Sequence, residues 1–454
     1  MTTLPDARTN GAMSDDSDGE PESHVHRSNA EIPPLSGRCV LVTGGAGFIG
    51  SHVADALLKR GDEVLIVDEV NDYYDVRLKR ANLTLLTAAW GADRLRVYEG
   101  DICDEPFITE VYAREKPRLV VHLAARAGVR PSIVDPFIYI HSNIEATTRL
   151  LELARKHGND SFVFASSSSV YGGSKESLFR ETDVVDYPVS PYAASKKATE
   201  LMAYTYHHLY GMNIAGLRFF TVYGPRGRPD MAPFKFIDRV SRGLEIQQFG
   251  DGSSERDYTY IDDIVDGVVR SLDTPLGYQI YNLGNGNPVA LRDFIALVEA
   301  NTGKKALIAV LPDQPGDVPR TAADVSKAKR LLGYEPRVAF EDGIRRTWEW
   351  YDQHYEATLG RSRPRAAAKG LSSLAVPEGL PEALPMGSPG GSPRGSPGGS
   401  PERSAPETSG QERSSSEAEV WPKDSAGPAG SKGRSRSMDV LSFVLGSHGE
   451  AGAF

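Results

Sequence analysis

A short β-branched run, "RCVLVTG", leads directly into "TGGAGFIGSH" (43–52), where Gly44, Gly47 and Gly50 recur every third residue before the helix-like segment "SHVADALLKRG". Glycines at this spacing meet three needs: a tight turn after a strand, close approach of backbone to a pyrophosphate, and close packing of the next helix on that strand. The free N–H groups at the helix start then face the anion. Turns collect glycine for many reasons, so the trio gains its weight from context. Asp68 closes the next apolar run, "DEVLIVD", 18 residues past Gly50. A carboxylate at that place binds the adenosine ribose hydroxyls and repels a 2′-phosphate, so NAD is expected over NADP.

Beyond this point β-branched runs alternate with helix-period segments: "RLRVYEGD", "PRLVVHLAA", "SFVFASS" and "NIAGLRFF" follow in turn. Alternation of this kind predicts an α/β fold, a Rossmann-like doubly wound parallel sheet, here over 37–220. A smaller mixed α/β substrate lobe is expected over 221–259 and 286–357, with a segment at about 260–285 returning to the first. Asp101 and "HLAA" (122–125) fall after the third and fourth strands, at the carboxyl edge where such sheets bind ligands.

The ends differ in composition. Residues 1–36 carry seven acids against two arginines, half of the formal net charge of −10, and 361–454 is rich in Gly, Ser and Pro. Both are expected to be disordered tails. Within the second, "GSPGGSPRGSPGGSP" (387–401) reads as a solvated linker that also offers Ser-Pro phosphorylation sites. No basic field points to nucleic acid. The two cysteines, Cys39 and Cys103, lack the paired spacing of a thiolate metal site or a disulfide framework, so no metal and a reducing compartment are expected. No apolar run approaches the ~18 residues of a membrane span, and the N-terminus does not resemble a signal peptide. The expected location is the cytoplasm.

Within "SPYAASKKATEL", Tyr192 and Lys196 are four apart and share one helix face. Beside a dinucleotide site, a phenol flanked by an ammonium and an oxidised nicotinamide, both cationic, is expected to ionise below its ordinary ~10. It can then take a proton from a substrate hydroxyl as hydride leaves the same carbon. Upstream, "FASSSSVYG" (164–172) ends a strand in four serines, either a soft turn or a row of donors aimed at a substrate.

Taken in order over about 38–355, these motifs resemble the extended short-chain dehydrogenase/reductase family, specifically its nucleotide-sugar branch. The resemblance implies a third catalytic group at Ser167, four residues before the tyrosine of "VYG". It also implies coenzyme contacts from the turn itself (Gly44, Gly47, Phe48, Ile49, Gly50) and from Asp68 and Asn71. Further contacts are implied at Asp101 and Ile102, at Leu123, Ala124 and Ala125, and at Asn143, Ser166 and Phe219, beside Tyr192 and Lys196. Dehydratases and decarboxylases of this branch carry acids where this chain has Ser168 and Ser169. Without an acid there, the expected chemistry returns hydride to the same carbon, which is epimerisation.

Four stretches narrow the resemblance: "NDYYDVRLKRANL" (71–83), "AGVRPSI" (127–133), "YGPRGRPDMAPFKF" (223–236) and "DQPGDVPRT" (313–321) look like UDP-glucuronate 4-epimerases. The activity implied is reversible NAD-dependent C4 epimerisation of UDP-glucuronate to UDP-galacturonate through a 4-keto intermediate. UDP-glucose or UDP-N-acetylhexosamine is the alternative substrate; decarboxylation and a non-catalytic NAD-binding scaffold are more distant rivals. Arg228, Thr221 and Ser168 are expected around the C5 carboxylate, and Arg226 offers a second planar fork for phosphate or carboxylate. Arg256 matches the family's diphosphate position and Asp317 one near the uridine ribose, while Gln314 stands where UDP-glucose 4-epimerases carry arginine. Glu69 departs from the pattern, since many relatives have Asn after the ribose-binding Asp. Two helices, 138–158 and 190–211, are expected to pair copies into a four-helix-bundle homodimer.

Overall fold

The computed structural model describes residues 38–174, 176–312 and 319–360. The tails at 1–36 and 361–454, together with Gln314 and Asp317, lie outside the described residues. The N-terminal half forms β1 (Cys39–Thr43), α1 (Phe48–Arg60), β2 (Glu63–Asp68), α2 (Val76–Arg94), β3 (Leu95–Glu99), α3 (Glu105–Glu115), β4 (Leu119–His122), β5 (Ser161–Ala165) and β6 (Ile214–Phe219). A late strand, Tyr278–Leu283, pairs with β6. The resulting seven-stranded sheet runs Tyr278–Leu283, β6, β5, β4, β1, β2, β3, and every pairing in it is parallel.

Alternation along β1 shows how the sheet fills both faces. Val40 and Val42 pack with α1, α2 and the helix Ile261–Asp273, while Leu41 between them packs with α3, Ala146–His157 and Pro191–Tyr210. All three are fully buried, as near-continuous apolar runs in parallel strands require. The order reverses between β1 and β4, because the chain winds outward through β2 and β3 before returning to β4. That switch point opens a crevice at the carboxyl ends of the strands. The long helix Pro191–Tyr210 starts where its sequence dictates, with Pro191 in the first turn and the Ser190 hydroxyl accepting from Ala193 N at 3.1 Å.

The second core is aromatic. Phe236 stacks on Phe294 with centroids 5.4 Å apart, and Tyr258 on Phe340 at 5.0 Å. These rings join the helices Ala232–Ser241, Leu291–Thr302 and Phe340–Trp350 around two short strands, Thr221–Tyr223 and Tyr258–Tyr260. This smaller core sits against α1 and α2 through Phe48 and Leu78, and Phe48 also lines the crevice.

Candidate active site

The glycine turn sits where close approach is unavoidable. Gly44 has φ +71° and a Cβ there would stand 2.7 Å from Ala124 N, while a Cβ on Gly50 would stand 2.1 Å from Gly44 O. Only a missing side chain lets β1, β4 and α1 meet so tightly. Helix α1 begins at this turn, with Gly47 as N-cap and no side-chain cap on its first N–H groups. Asp68 ends β2 beside it, accepting from Ala46 N at 3.0 Å and Val70 N at 2.8 Å. Burial raises its carboxyl above the ordinary range, and those N–H bonds and the Lys79 charge pull it back.

A cavity of about 420 Å³ runs from this turn across the carboxyl edge. Along it lie Gly44, Gly47, Phe48, Ile49 and Gly50 at the turn, then Asp68, Asn71, Asp101 and Ile102. Leu123, Ala124 and Ala125 continue the wall, and Ser166, Ser167, Ser168, Tyr192, Lys196, Phe219, Thr221 and Arg228 complete it. Seven segments spread along the sequence thus bring most of the singled-out residues to one cleft.

The serine run forms a turn in the wall of the cleft. Ser167 caps a 3-10 turn, Ser168–Tyr171, its hydroxyl accepting from Ser169 N at 3.1 Å. The same hydroxyl lines the cleft with the Tyr192 phenol and favours its ionised form. Tyr171 points the other way, donating to Asn282 at 2.6 Å and stacking on Phe179. Ser166 lines the cleft, yet its hydroxyl donates inward to Glu200 at 2.6 Å, where a buried Arg218–Glu200 pair anchors the end of β5.

The electrostatics of Tyr192 differ from expectation. Burial raises its phenol above the ordinary value, opposed by the Ser167 bond and the charge of Arg228, with Tyr73 adding to the rise. The Lys196 ammonium is engaged elsewhere: it donates to Ala165 O at 2.7 Å, and burial depresses its pKa to about 8. The cation that favours the phenolate in this chain is therefore Arg228. Its guanidinium lies over the Tyr73 ring, 5.2 Å from the centroid, with Nε on Asp230 Oδ1 at 3.0 Å and Nη2 on Asp230 Oδ2 at 2.5 Å.

Three expected contacts fall elsewhere. Asn143 is buried off the cleft, its amide held by Arg126 N and O and Ser195 Oγ at 2.8 to 3.0 Å, which leaves it no free polar atom. Arg226, at φ +61°, turns into a second cavity of about 510 Å³ and donates to His52 Nε2 at 3.2 Å. That ring is neutral, its pKa lowered to about 3 by burial and by the Arg226 charge. Arg256 donates to Glu255 O at 2.9 Å and Pro319 O at 3.3 Å instead of facing the cleft.

The cleft also holds groups that sequence reasoning passed over: Tyr73, Lys79 and Arg126. Lys79 donates to Asn71 O and Oδ1, both at 2.8 Å, and Arg126 pairs with Glu69 at 3.4 Å. Tyr73 and Lys79 fall inside "NDYYDVRLKRANL", and Arg126 directly follows the "HLAA" strand end, so position at the carboxyl edge was the available signal.

Residues 41–347 match the protein family described as GDP-mannose 4,6 dehydratase. A UDP-glucuronate 4-epimerase of Thermodesulfobacterium geofontis is 47% identical over 317 residues, 70% of this chain and 97% of its own length. The crystal structure of UDP-glucuronic acid 4-epimerase from Bacillus cereus, in complex with UDP-glucuronic acid and NAD, superposes with a TM-score of 0.65 at 36% identity. It covers 69% of this chain and 99% of that one. A UDP-glucose 4-epimerase of Thermotoga maritima, with UDP-glucose, gives a TM-score of 0.64 at 33% identity, covering 70% and 100%.

Proposed function

The chain belongs to this family of nucleotide-sugar enzymes, and from that premise we propose that it interconverts UDP-glucuronate and UDP-galacturonate by NAD-dependent inversion at C4. One arrangement carries the reading: Tyr192, Ser167 and Arg228 line one cleft, where the serine and the arginine both favour the ionised phenol, with serines and no acid at 168 and 169. The coenzyme fits the cleft lined by Gly44, Gly47, Gly50 and Asp68, with its pyrophosphate on the uncapped start of α1 and its adenosine ribose on Asp68. Bound there, NAD supplies the acceptor and later the donor of hydride at C4.

The protein's own groups handle protons and charge. Tyr192 takes the C4 hydroxyl proton and later gives it back, as a positioned acid-base pair must. Ser167 donates to the sugar C4 oxygen as it becomes a ketone. Lys196 ties the Tyr192 helix to the end of β5 through Ala165 O. A 4-keto hexuronic acid is a β-keto acid and readily loses carbon dioxide. Arg228, with Thr221 and Ser168, grips the C5 carboxylate, and serines in place of acids withhold the proton that elimination or decarboxylation needs. Asp230 occupies Nε and Nη2 of Arg228, and Nη1 makes no hydrogen bond among the described residues. On resemblance alone, Arg256 is assigned to the diphosphate and Asp317 to the uridine ribose, although the Arg256 side chain is turned to Glu255 O and Pro319 O.

Comparing kcat/KM for UDP-glucuronate and UDP-glucose tests the reading. Charge-assisted hydrogen bonds contribute ~1.5–3 kcal/mol, so a preference of roughly 10- to 100-fold for the uronate is expected. Equal rates, or a preference for the neutral sugar, would overturn it.

The same reading places a lobe boundary near 220, with Tyr278–Leu283 returning to the coenzyme lobe. It also makes the protein a homodimer: Phe137, Ile140, Leu201 and Leu209 are exposed on the helical stretches Phe137–His157 and Pro191–Tyr210. A cytoplasmic location is supported by two free thiols, and no helix among the described residues is long and apolar enough to cross a membrane.

A further inference from the structure

At the outer rim of the cleft, the fold gathers three ligand types that the sequence scatters. Asp101 and Cys103 lie in the loop after β3, and His141 lies on a π-helical segment, Ile140–Glu145, ahead of Ala146–His157. The Asp101 carboxylate, the Cys103 Sγ and a His141 ring nitrogen all lie within 4.8 Å of one another. His141 Nε2 is 2.9 Å from Asp101 Oδ2, and Cys103 Sγ is 3.4 Å from the His141 carbonyl. The other ring nitrogen, Nδ1, is 3.1 Å from Glu145 Oε2. Glu145 is itself held by Arg149, which also pairs with Glu105 at 2.9 Å.

The geometry points to a binding site for a soft divalent cation of the zinc class, ligated by Asp101, Cys103 and His141 with water in the fourth position. A tetrahedral ion with bonds of ~2.0–2.3 Å holds its ligand atoms roughly 3.3–3.8 Å apart. The three atoms reach that spacing by side-chain shifts of about an ångström. One carboxylate, one thiolate and one imidazole form a donor set that suits zinc over magnesium or calcium. Glu145 on the far ring nitrogen is the outer carboxylate that ligating histidines ordinarily carry, and it fixes which nitrogen faces the ion. A π-turn at the ligand is a further irregularity of the sort that collects at functional positions. A histidine clamped between two carboxylates accounts for Asp101 and Glu145, while the neighbouring sulfur, held at the His141 carbonyl, supplies the third donor. Asp101 also lines the cleft, so the ion would sit in contact with its wall.

The test needs no turnover and is independent of the epimerase reading. Full-length, reduced, chelator-stripped protein is titrated with Co²⁺ and then Zn²⁺. One Co²⁺ per chain should bind with a thiolate-to-metal charge-transfer absorption that Zn²⁺ displaces. Cys103→Ser should abolish the band, whereas Cys39→Ser, which alters the β1 thiol that faces Glu115 O, should keep it. His141→Ala should weaken Zn²⁺ binding by more than ~10-fold, and Glu145→Gln by about 10-fold as an outer partner. Absence of the band, its persistence in Cys103→Ser, its loss in Cys39→Ser, or unchanged zinc affinity in the exposed-site variant His141→Ala would each overturn the proposal.

Discussion

The surface that faces the ligand at the glycine end of the cleft is mostly backbone: Gly44, Gly47, Gly50, the first N–H groups of α1 and the Ala124 peptide. At the other end it is mostly side chain, supplied by Ser167, Tyr192, Thr221 and Arg228 from four separate elements. Backbone surfaces are fixed by the fold and leave little room for substitution. Side-chain surfaces take their properties from neighbours, as the Tyr192 phenol shows, where burial, a serine and an arginine contend. In the proposed reading one end holds the coenzyme and the other does the chemistry, and the two should fail differently.

Tyr192→Phe should separate them most sharply. Removing the phenolic oxygen takes away the acid-base group and spares the backbone cradle, so turnover should fall ~10²- to 10⁴-fold. NAD affinity, read by fluorescence titration, should stay within a few-fold. A variant that turns over normally would show that the two ends are not divided in this way.

The glycine end has its own weakness, in acid. His122 accepts or donates between Thr43 and Thr147, and His52 bonds Phe48 O. Burial lowers both pKa values to about 3, so both rings are neutral in the folded protein. Unfolded chains protonate histidine near ~6.5, so the unfolded state binds more protons below that pH and stability falls from there toward 3. Each ring contributes about 1.4 kcal/mol per pH unit, or ~2 kcal/mol by pH 5. Urea midpoints measured from pH 7 to 5 should fall accordingly, and His122→Gln should flatten the decline. A flat midpoint in the parent chain would remove this difference between the ends.

This contrast also explains what was legible in the sequence. Gly44, Gly50 and Asp68 could be read because spacing along one βαβ unit dictates their geometry. The parallel sheet, the end of β2 at Asp68 and the start of the helix at Ser190–Pro191 follow from the same local rules. Tyr192 came from its spacing to Lys196 and Ser167 from motif resemblance, and the fold brings both to one cleft. Their electrostatics were not legible. Lys196 shares a helix face with Tyr192 yet spends its ammonium on Ala165 O, while the effective cation comes from 36 residues downstream. Arg226 and Arg228 look equivalent in "PRGRP", but a left-handed residue at 226 sends one into a different cavity. No pattern in the chain announces that turn, because arginine seldom adopts it.

Arg228→Ala is the next sharpest probe, because it acts on the chemical end alone. Loss of the guanidinium should weaken binding of UDP-glucuronate by roughly 10- to 100-fold, as expected for charge-assisted hydrogen bonds. UDP-glucose binding, followed by calorimetry on NAD-loaded protein, should change little. Equal losses for both sugars would mean that Arg228 and Asp230 serve the loop and not the carboxylate.

The smallest effect belongs to the boundary between the two ends, at Glu69. This acid stands beside Asp68, and an extra negative charge near the adenosine ought to oppose coenzyme binding. In the fold it is exposed, paired with Arg126 at 3.4 Å and bonded by the Asn71 amide. The Arg126 charge offsets its own, and water screens what is left. Exposed ion pairs of this kind contribute ~0–1 kcal/mol, so Glu69→Asn should shift the NAD dissociation constant by less than about 5-fold. The shift should shrink further in 0.5 M salt, about where screening extends over only a few ångströms. Arg126→Ala reverses the logic: with its partner gone, Glu69 regains its repulsion, and NAD binding should weaken more than in Glu69→Asn. If the two substitutions instead had the same effect at every salt concentration, the pair would be acting through the shape of the wall, and charge at this boundary would be irrelevant to coenzyme affinity.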